Sequence, residues 1–467
     1  MIPITIAQNW QESKVCQQMD AGILQDLLPP QQIEEQLDAF GAWESRERKL
    51  NMVVMVYWLI ALHLYPHLSQ RDVYARLLSG LRRYRDDITE QIPVKSAFSY
   101  RREQLGSEVI EELFEQLAAR PTPADTPGVC WKGLRLFCLD GTRESVPDTP
   151  ANRIAFEYST DTLEVRSPFP QARMVLLVEC GTHLIVDAHL SSCREAEIQG
   201  ARRLLERRSW EQTLVLWDIG FHAHRSLFQI RQTQGHVLGR LKKSVLLKPL
   251  VTLADGSYMV RIYEKPDHQR GPNMLVRVIT YRLDDPRLPG GGEQVYRLVT
   301  TLLDPFAYPA KELAVLYHER WHAELVIGET RTVMRLSAHT LRSLTPQGVT
   351  QELYALVLAH TLVRRLLLQA AQMQGIAPTT LSFTAAIRLL DDNPPVLCGV
   401  SPHRRVQIVA NWLEELGQQR LPRQRVRIQA RVLKRAYPRY AHKKAEHWKA
   451  PPLELNLDFH QIVVIVV

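Results

Sequence analysis

The sequence predicts an α/β protein with an all-α amino-terminal region, a strand-rich middle and a helical, basic carboxy-terminal region. Three observations predict it. Up to about residue 120, apolar side chains recur at helical spacing. From 129 to 244, short apolar runs alternate with amphipathic stretches, and two of the runs end on an aspartate. From 245 to 303, Val, Ile, Tyr and Thr alternate with charges between glycine-containing turns. With 467 residues, 45% hydrophobic and 7% aromatic, the chain can bury a sizeable core in two or three domains.

Residues 1–120 read as helices over Gln32 to Phe40, Arg46 to Leu64, Ser69 to Leu81 and Ser107 to Leu117. Ser69 supplies a hydroxyl cap for the helix that begins at Gln70. The run Met52 to Leu62 is apolar throughout. A bilayer span needs about 20 residues, so this run reads as a buried core helix. Pro93 opens a basic segment, Val94 to Leu105, ended by Gly106. Lys95, Ser99, Arg101 and Arg102 could meet DNA from such a helix, with Arg82, Arg83 and Arg85 adding charge nearby. The competing reading is a small bundle with a solvated basic face.

Pro121 to Gly128 is a linker by composition. Residues 129–244 then read as the first part of an α/β core. Leu134 to Leu139 is a strand running into Asp140-Gly141-Thr142. Arg173 to Cys180 and His183 to His189 are strands about a turn at Gly181-Thr182, and Glu195 to Arg208 is an amphipathic helix. Thr213 to Trp217 is a strand running into Asp218, followed by a helix over Arg225 to Thr233. His236 to Leu241 is a strand ending on Lys242 and Lys243, which are expected to contact DNA. Residues 245–303 form a β-rich insertion, with strands near Tyr258 to Glu264, Met274 to Arg282 and Gln294 to Leu302.

Residues 304–375 hold the second part of the core: a helix over Leu316 to Arg335, then a long one over Thr345 to Met373 with Pro346 in its first turn. In 376–467, Leu381 to Leu390 is a further helix, and 403 to 449 are crowded with Arg and Lys among which Tyr437, Tyr440 and Trp448 are interleaved. That density favours nucleic-acid contact over a merely solvated tail. Gln461 to Val467 reads as a buried β-type segment.

The stretch Leu316 to Arg335 organises the rest. At about 100° per residue, Tyr317, Glu324 and Arg331 fall within roughly 40° of one another, and Arg320 lies about 60° aside. One carboxylate is thus displayed among two guanidiniums and a phenol. A stripe facing a metal-bound phosphate needs that order, because an acid holds the cation and arginines hold phosphate oxygens. A surface helix of mixed charge is the bland alternative. Gly328, on the same face, is expected to leave room for another backbone. Asp140 and Asp218, each ending a strand, could converge with Glu324 and hold two divalent cations about 4 Å apart. Hard oxygen ligands suit Mg²⁺, with Mn²⁺ as a substitute. His222 and His224 stand near Asp218 but read as an ordinary surface pair.

These motifs resemble those of the DDE transposases of bacterial insertion sequences, specifically the insertion-sequence-four family. Its helix signature spaces Tyr, Arg, Glu and Lys as Tyr317, Arg320, Glu324 and Arg331 stand here, with Arg in place of the final Lys. The first acid stands in Asp140-Gly141-Thr142 ahead of Pro147-Asp148-Thr149, and the second before Gly220-Phe221. Arg342-Ser-Leu-Thr-Pro, Gln351-Glu-Leu-Tyr and the helical segment Leu28 to Leu117 are also similar to that family. The resemblance implies a ribonuclease-H-like catalytic core with the β-rich insertion between the second Asp and the Glu. It implies Asp140, Asp218 and Glu324 as catalytic metal ligands. It further implies a homodimer that synapses two element ends, and cut-and-paste transposition by way of a hairpin, with strand transfer to target DNA. By the same resemblance Tyr317, Arg320 and Arg331 would contact end phosphates or flanking bases of the terminal inverted repeats.

The net charge of +8 fits a polyanion partner such as double-stranded DNA. The six cysteines show no zinc or redox spacing, which fits a reduced, cytoplasmic protein, and the resemblance implies a bacterial, nucleoid-associated one. Met1 to Lys14 lacks the pattern of a secretory signal, and no membrane role is expected. Two other classes stay open at this point: a DNA-binding relative without catalysis, and a metal-dependent nuclease that cuts without joining.

Overall fold

A computed structural model describes residues 23–44, 50–82, 92–159, 167–242, 244–265, 271–285, 294–336, 340–392, 400–422, 426–428, 453–455 and 458–466. Its amino-terminal residues form helices α1 (Pro30–Ala39), α2 (Met52–Leu64), α3 (Gln70–Arg82), α4 (Lys95–Leu105) and α5 (Glu108–Ala118). The second helix starts later than its periodicity suggests. Asn51 caps it, accepting from the Val54 amide at 2.8 Å, and Leu50 before it is not helical, while residues 45–49 lie outside the described residues. Nearly every side chain of α2 is buried, as expected of an apolar run too short for a bilayer.

The apolar runs of the middle region pair into one sheet. Its first half is β1 (Leu134–Ser145), β2 (Gln171–Glu179), β3 (Ile185–Ser192), β4 (Thr213–Trp217) and β5 (His236–Arg240). They lie in the order β3-β2-β1-β4-β5. β2 runs antiparallel to both β1 and β3, whereas β4 runs parallel to β1 and β5 parallel to β4. A short helix α6 (Pro150–Phe156) follows β1, α7 (Glu197–Glu206) links β3 to β4, and α8 (His224–Gln232) links β4 to β5. Parallel neighbours require such crossovers. This arrangement fits the expected ribonuclease-H-like core.

The strands β6 (Pro249–Thr252), β7 (Tyr258–Tyr263), β8 (Asn273–Leu283) and β9 (Val295–Thr300) belong to the expected β-rich insertion. They do not form a separate body. β9 pairs antiparallel with β5, and β8, β7 and β6 follow outward in the same sheet. The sequence shows a change of pattern at residue 245, but pairing partners are a matter of register.

Beyond β9 come α9 (Ala310–Leu316), α10 (Trp321–Gly328), α11 (Pro346–Gln374), α12 (Phe383–Asp392) and α13 (Pro402–Gln418). A last strand, β10 (Val463–Ile465), pairs with β8 and buries Val463. The 29-residue α11 is long and apolar enough to cross a membrane by length and composition, yet 94% of its apolar window is buried inside the protein. It is the central core helix, packing against α2, α5, α12 and α13. One face of the sheet, with Leu136, Cys138, Leu214 and Leu216, joins α11 and the amino-terminal helices in one hydrophobic cluster. The alternate residues Phe137, Leu139, Val215 and Trp217 pack under α7 and α8 on the other face.

One glycine is dictated by this packing. Gly239 on β5 is the register partner of Trp217 on β4, and a Cβ there would lie 2.0 Å from Trp217 Nε1. The Trp217 side chain occupies the space, and Trp217 precedes Asp218.

Candidate active site

Strand register brings the first two acids together. Leu139 on β1 is paired in parallel with Trp217 on β4. The next residues, Asp140 and Asp218, therefore stand side by side on neighbouring strands, about 4.8 Å apart in backbone spacing. Asp140 lies within β1, which continues past it to Ser145. Asp218 ends β4 and precedes a one-turn 3₁₀ helix, Ile219–Phe221. Gly141 makes room for another carboxylate: a Cβ there would meet Glu197 Oε1 at 2.9 Å. Glu197 begins α7 and pairs with Arg173 at 2.9 Å. Its charge acts on Asp140, and nothing in its sequence context marks it.

The third acid comes from the segment after α9. That segment is not one regular α-helix, as its 100° spacing suggested. Tyr317–Arg320 is a 3₁₀ turn, α10 follows, and Glu329–Val333 is a π turn. Such irregular turns re-aim side chains relative to a uniform helix. Arg320 lies at their junction. Its Nη2 donates to Glu324 Oε1 at 2.6 Å, and its Nη1 is 3.8 Å from Asp140 Oδ2. Burial works against its charge, but the Glu324 hydrogen bond, Tyr317 and Asp218 outweigh it. Tyr317 is buried, and its hydroxyl reaches toward the Trp217 carbonyl at 3.4 Å and Asp218 Oδ1 at 3.5 Å. Burial, then Asp218, raises its pKa and keeps the phenol protonated. Acids from β1, β4 and α10 thus gather about one guanidinium.

An open cavity of about 680 Å³ lies beside them, lined among others by Asp140, Glu324, Arg143, Gln171, Arg331 and Arg335. Glu144, buried on β1, accepts from Arg335 and from Thr142 Oγ1, and stands 3.5 Å from Arg331 Nε. It tethers the two arginines to the strand that carries Asp140. Gly328 also lines this cavity, where an added Cβ would meet nothing within 4 Å. The expectation that another backbone approaches Gly328 is therefore corrected: it faces open space.

The Transposase DDE domain family matches residues 131–362, and the Insertion element 4 transposase N-terminal family matches residues 18–115. Transposase InsG for insertion sequence element IS4, from Escherichia coli strain K12, is 30% identical over 437 residues, 92% of this chain and 93% of its own length. This chain belongs to the IS4 family of DDE transposases. It is, accordingly, an enzyme of DNA transposition. The putative transposase InsZ of the same strain is 26% identical over 138 residues, 30% of this chain and 46% of its own. A solved piggyBac transposase synaptic complex with hairpin DNA is 9% identical with a TM-score of 0.42, covering 88% of this chain and 83% of that one.

Other expected residues of the transposase are placed as follows. Arg101 is buried, and its Nη1 donates to Gln104 Oε1 at 2.9 Å. Arg102 reaches into the start of α11, donating to Gln351 Oε1 at 2.7 Å and to Ser343 Oγ and the Gly348 carbonyl at 2.9 Å. The expectation of DNA contact by this pair is corrected, because both guanidiniums are consumed within the fold. Lys95 and Ser99 are exposed on the same helix. Lys242 is exposed at the end of β5, whereas Lys243 lies outside the described residues. So does most of the basic run, from 429 to 452. His222 is half-buried: burial, then His224 and Lys242, lower its pKa to about 4, and neither ring nitrogen has a hydrogen-bond partner.

Asp140 has a measurable consequence. Burial foremost, with Glu324 and Glu197 adding to it, raises its pKa to about 6, against the pull of the Gly141 amide and Arg320. A folded-state pKa above the unfolded value of 3.8 means that the folded form binds the proton more tightly. Without divalent cation, stability should therefore fall as pH rises from about 4 to about 6. Asp140→Asn should remove that dependence, gaining on the order of 3 kcal/mol above pH 6 and nothing at pH 4. Chemical denaturation at both pH values, in chelator, checks this. Equal gains at the two pH values would contradict the assignment.

Proposed function

We propose that this transposase moves an insertion sequence by cut-and-paste phosphoryl transfer, with Asp140, Asp218 and Glu324 as its catalytic, metal-holding acids. The observation that carries the proposal is the gathering of acids from β1, β4 and α10 about the Arg320 guanidinium. Among the described residues no group of three His, Cys, Asp or Glu side chains could hold a metal as it stands. Arg320 now supplies the positive charge there. The donor chemistry nevertheless fits a hard cation, since carboxylates are the oxygen ligands that Mg²⁺ or Mn²⁺ prefers. Burial foremost, with the Glu324 and Glu197 charges, raises the pKa of Asp140, and a bound cation would offset that penalty on its ionised form. When bound, a pair of such ions supplies activation of the attacking oxygen and stabilisation of the leaving one.

The protein's own groups do the rest. Tyr317 keeps its proton on Oη and directs it toward Asp218, which orients that carboxylate. Arg320 can exchange Glu324 for a phosphate oxygen, because a planar guanidinium serves carboxylate and phosphate alike. Arg331, half exposed on the cavity wall, offers the next contact to the end phosphates. Lys242, with Lys243 beside it in sequence, is proposed to meet DNA farther out. The partners are the terminal inverted repeats and the target DNA, with two protomers synapsing the ends. Nicking, hairpin formation and strand transfer then share one set of acids.

The test uses a duplex carrying the DNA that flanks the reading frame, incubated with the protein in Mg²⁺ or Mn²⁺. Nicks at the element end, hairpin-ended products and joints to a target plasmid are expected. Binding without cleavage in either metal would leave only a DNA-binding relative. Nicks without joints would leave a nuclease.

A further inference from the structure

The segment that carries Arg320 and Glu324 is held from behind by a line of ring nitrogens. Arg364 on α11 is 2% exposed, and its Nη2 donates to His183 Nδ1 at 2.8 Å. A guanidinium has no acceptor, so Nδ1 of His183 carries a lone pair and the proton sits on Nε2. That nitrogen lies 2.5 Å from Nδ1 of His322, which must accept. His322 therefore holds its own proton on Nε2 and donates it to Glu319 Oε2 at 2.6 Å. The first donor dictates each tautomer along Arg364, His183, His322 and Glu319. Burial, then the Arg364 charge, lowers the pKa of His183 to about 3 and keeps the ring neutral.

The two ends of this line belong to different parts of the site. His183 sits in the turn between β2 and β3, with φ of +61°. β2 is paired with the strand of the first acid, Leu176 opposite Asp140. Glu319 and His322 bracket Arg320 in sequence and stop two residues before Glu324. Their bond to His183 ties the 3₁₀ turn and the start of α10 to the sheet that carries Asp140. A separate clamp acts beyond Glu324, where Glu329 of the π turn accepts from Arg364 and from His360 Nε2 at 2.8 Å.

We propose that His183 and His322 are positioning residues of the transposase, fixing Arg320 and Glu324 relative to Asp140 through their mutual hydrogen bond. The proposal rests on the catalytic reading of Glu324 above. Neither histidine touches DNA or metal in this account; they act through the backbone of the turn.

The decisive comparison is between His322→Leu, which fills the space without polar atoms, and His322→Gln. A glutamine carries an acceptor for His183 and a donor for Glu319, so it can repeat both bonds. His183→Gln is the matching change at the other ring, accepting from Arg364 and donating to His322. Two quantities are read on each protein bound to flanking-DNA duplex: the single-turnover cleavage rate, and Mn²⁺ occupancy by electron paramagnetic resonance. His322→Leu should lower the rate and weaken Mn²⁺ binding by about 10–100-fold. Duplex affinity should be unchanged, and both glutamine variants should retain most of both quantities.

A purely structural role predicts lost solubility or melting temperature without a shift in Mn²⁺ affinity in the folded fraction, and that result overturns the proposal. If His322→Leu fails to fold, the glutamine variants decide: glutamine proteins that fold but lose Mn²⁺ affinity also overturn it. A His322→Leu protein equal to wild type overturns this inference alone. A wild type that neither cuts nor binds Mn²⁺ overturns the catalytic reading with it.

Discussion

Glu324→Gln is expected to lower metal-dependent cleavage of element-end DNA by on the order of 10³-fold, the equivalent of roughly 4 kcal/mol of transition-state stabilisation. The amide keeps the shape of the side chain and an oxygen that can accept from Arg320. It removes the charge that a divalent cation requires. Folding should be almost untouched. Glu324 is 36% exposed, and an i,i+4 pair with Arg320 at such a position is worth under about 1 kcal/mol. Duplex binding should survive, since the proposed phosphate contacts come from Arg320 and Arg331 and not from Glu324. Gel assays of binding and cleavage on one preparation separate the two effects. Undiminished cutting by Glu324→Gln would remove this residue from the catalytic set.

Glu329→Leu is expected to act on stability instead, costing about 3–5 kcal/mol. Glu329 takes two donors from Arg364, which is 2% exposed, and one from His360, which is fully buried. Without the acid, a buried guanidinium is left with no counter-charge. Adding Arg364→Met to Glu329→Leu should restore much of the loss, because two apolar side chains replace a complete ion pair. Urea denaturation of the three variants checks the ordering, and a double variant less stable than either single one would contradict it. The wild-type contribution also depends on pH. Burial opposes ionisation of Glu329, but the Arg364 charge foremost, with the His360 hydrogen bond, helps hold the pKa well below 4.5. That contribution is present above pH 4.5 and is lost as pH falls through the lowered folded value. Glu329→Leu should flatten this acid limb.

Some of this was legible from local pattern. Thr213 to Trp217 is read from sequence with both ends correct, because a strand buried on both faces is apolar throughout. The same logic marks Asp140 and Asp218, since a carboxylate ending such a run interrupts it. The long helix read over Thr345 to Met373 is marked at its start by Pro346 in the first turn, and Thr345 proves to be its cap. The spaced Tyr317, Arg320, Glu324 and Arg331 point to the family, which full-length identity then establishes.

Other readings failed for identifiable reasons. Arg101 and Arg102 look like a basic DNA-facing pair only while their partners are unknown, and Gln351 is 249 residues away from Arg102. A uniform helix over Leu316 to Arg335 misses the 3₁₀ and π turns on either side of α10. Those turns follow from contacts to other elements, such as Glu329 to Arg364 and His322 to His183, not from propensity. The β-rich stretch could be seen, but not that β9 joins β5.

Side-chain type and spacing were enough to pick out the candidate acids and the strands before Asp140 and Asp218, because alternation, capping and carboxylate placement are short-range properties of the chain, and the spaced motifs carried the resemblance to the family. They could not say that Leu139 lies opposite Trp217, that Arg320 stands among the acids, or that His183 supports the Glu324 turn. Those are outcomes of register and of packing between segments more than a hundred residues apart, and they exist only once the core has closed.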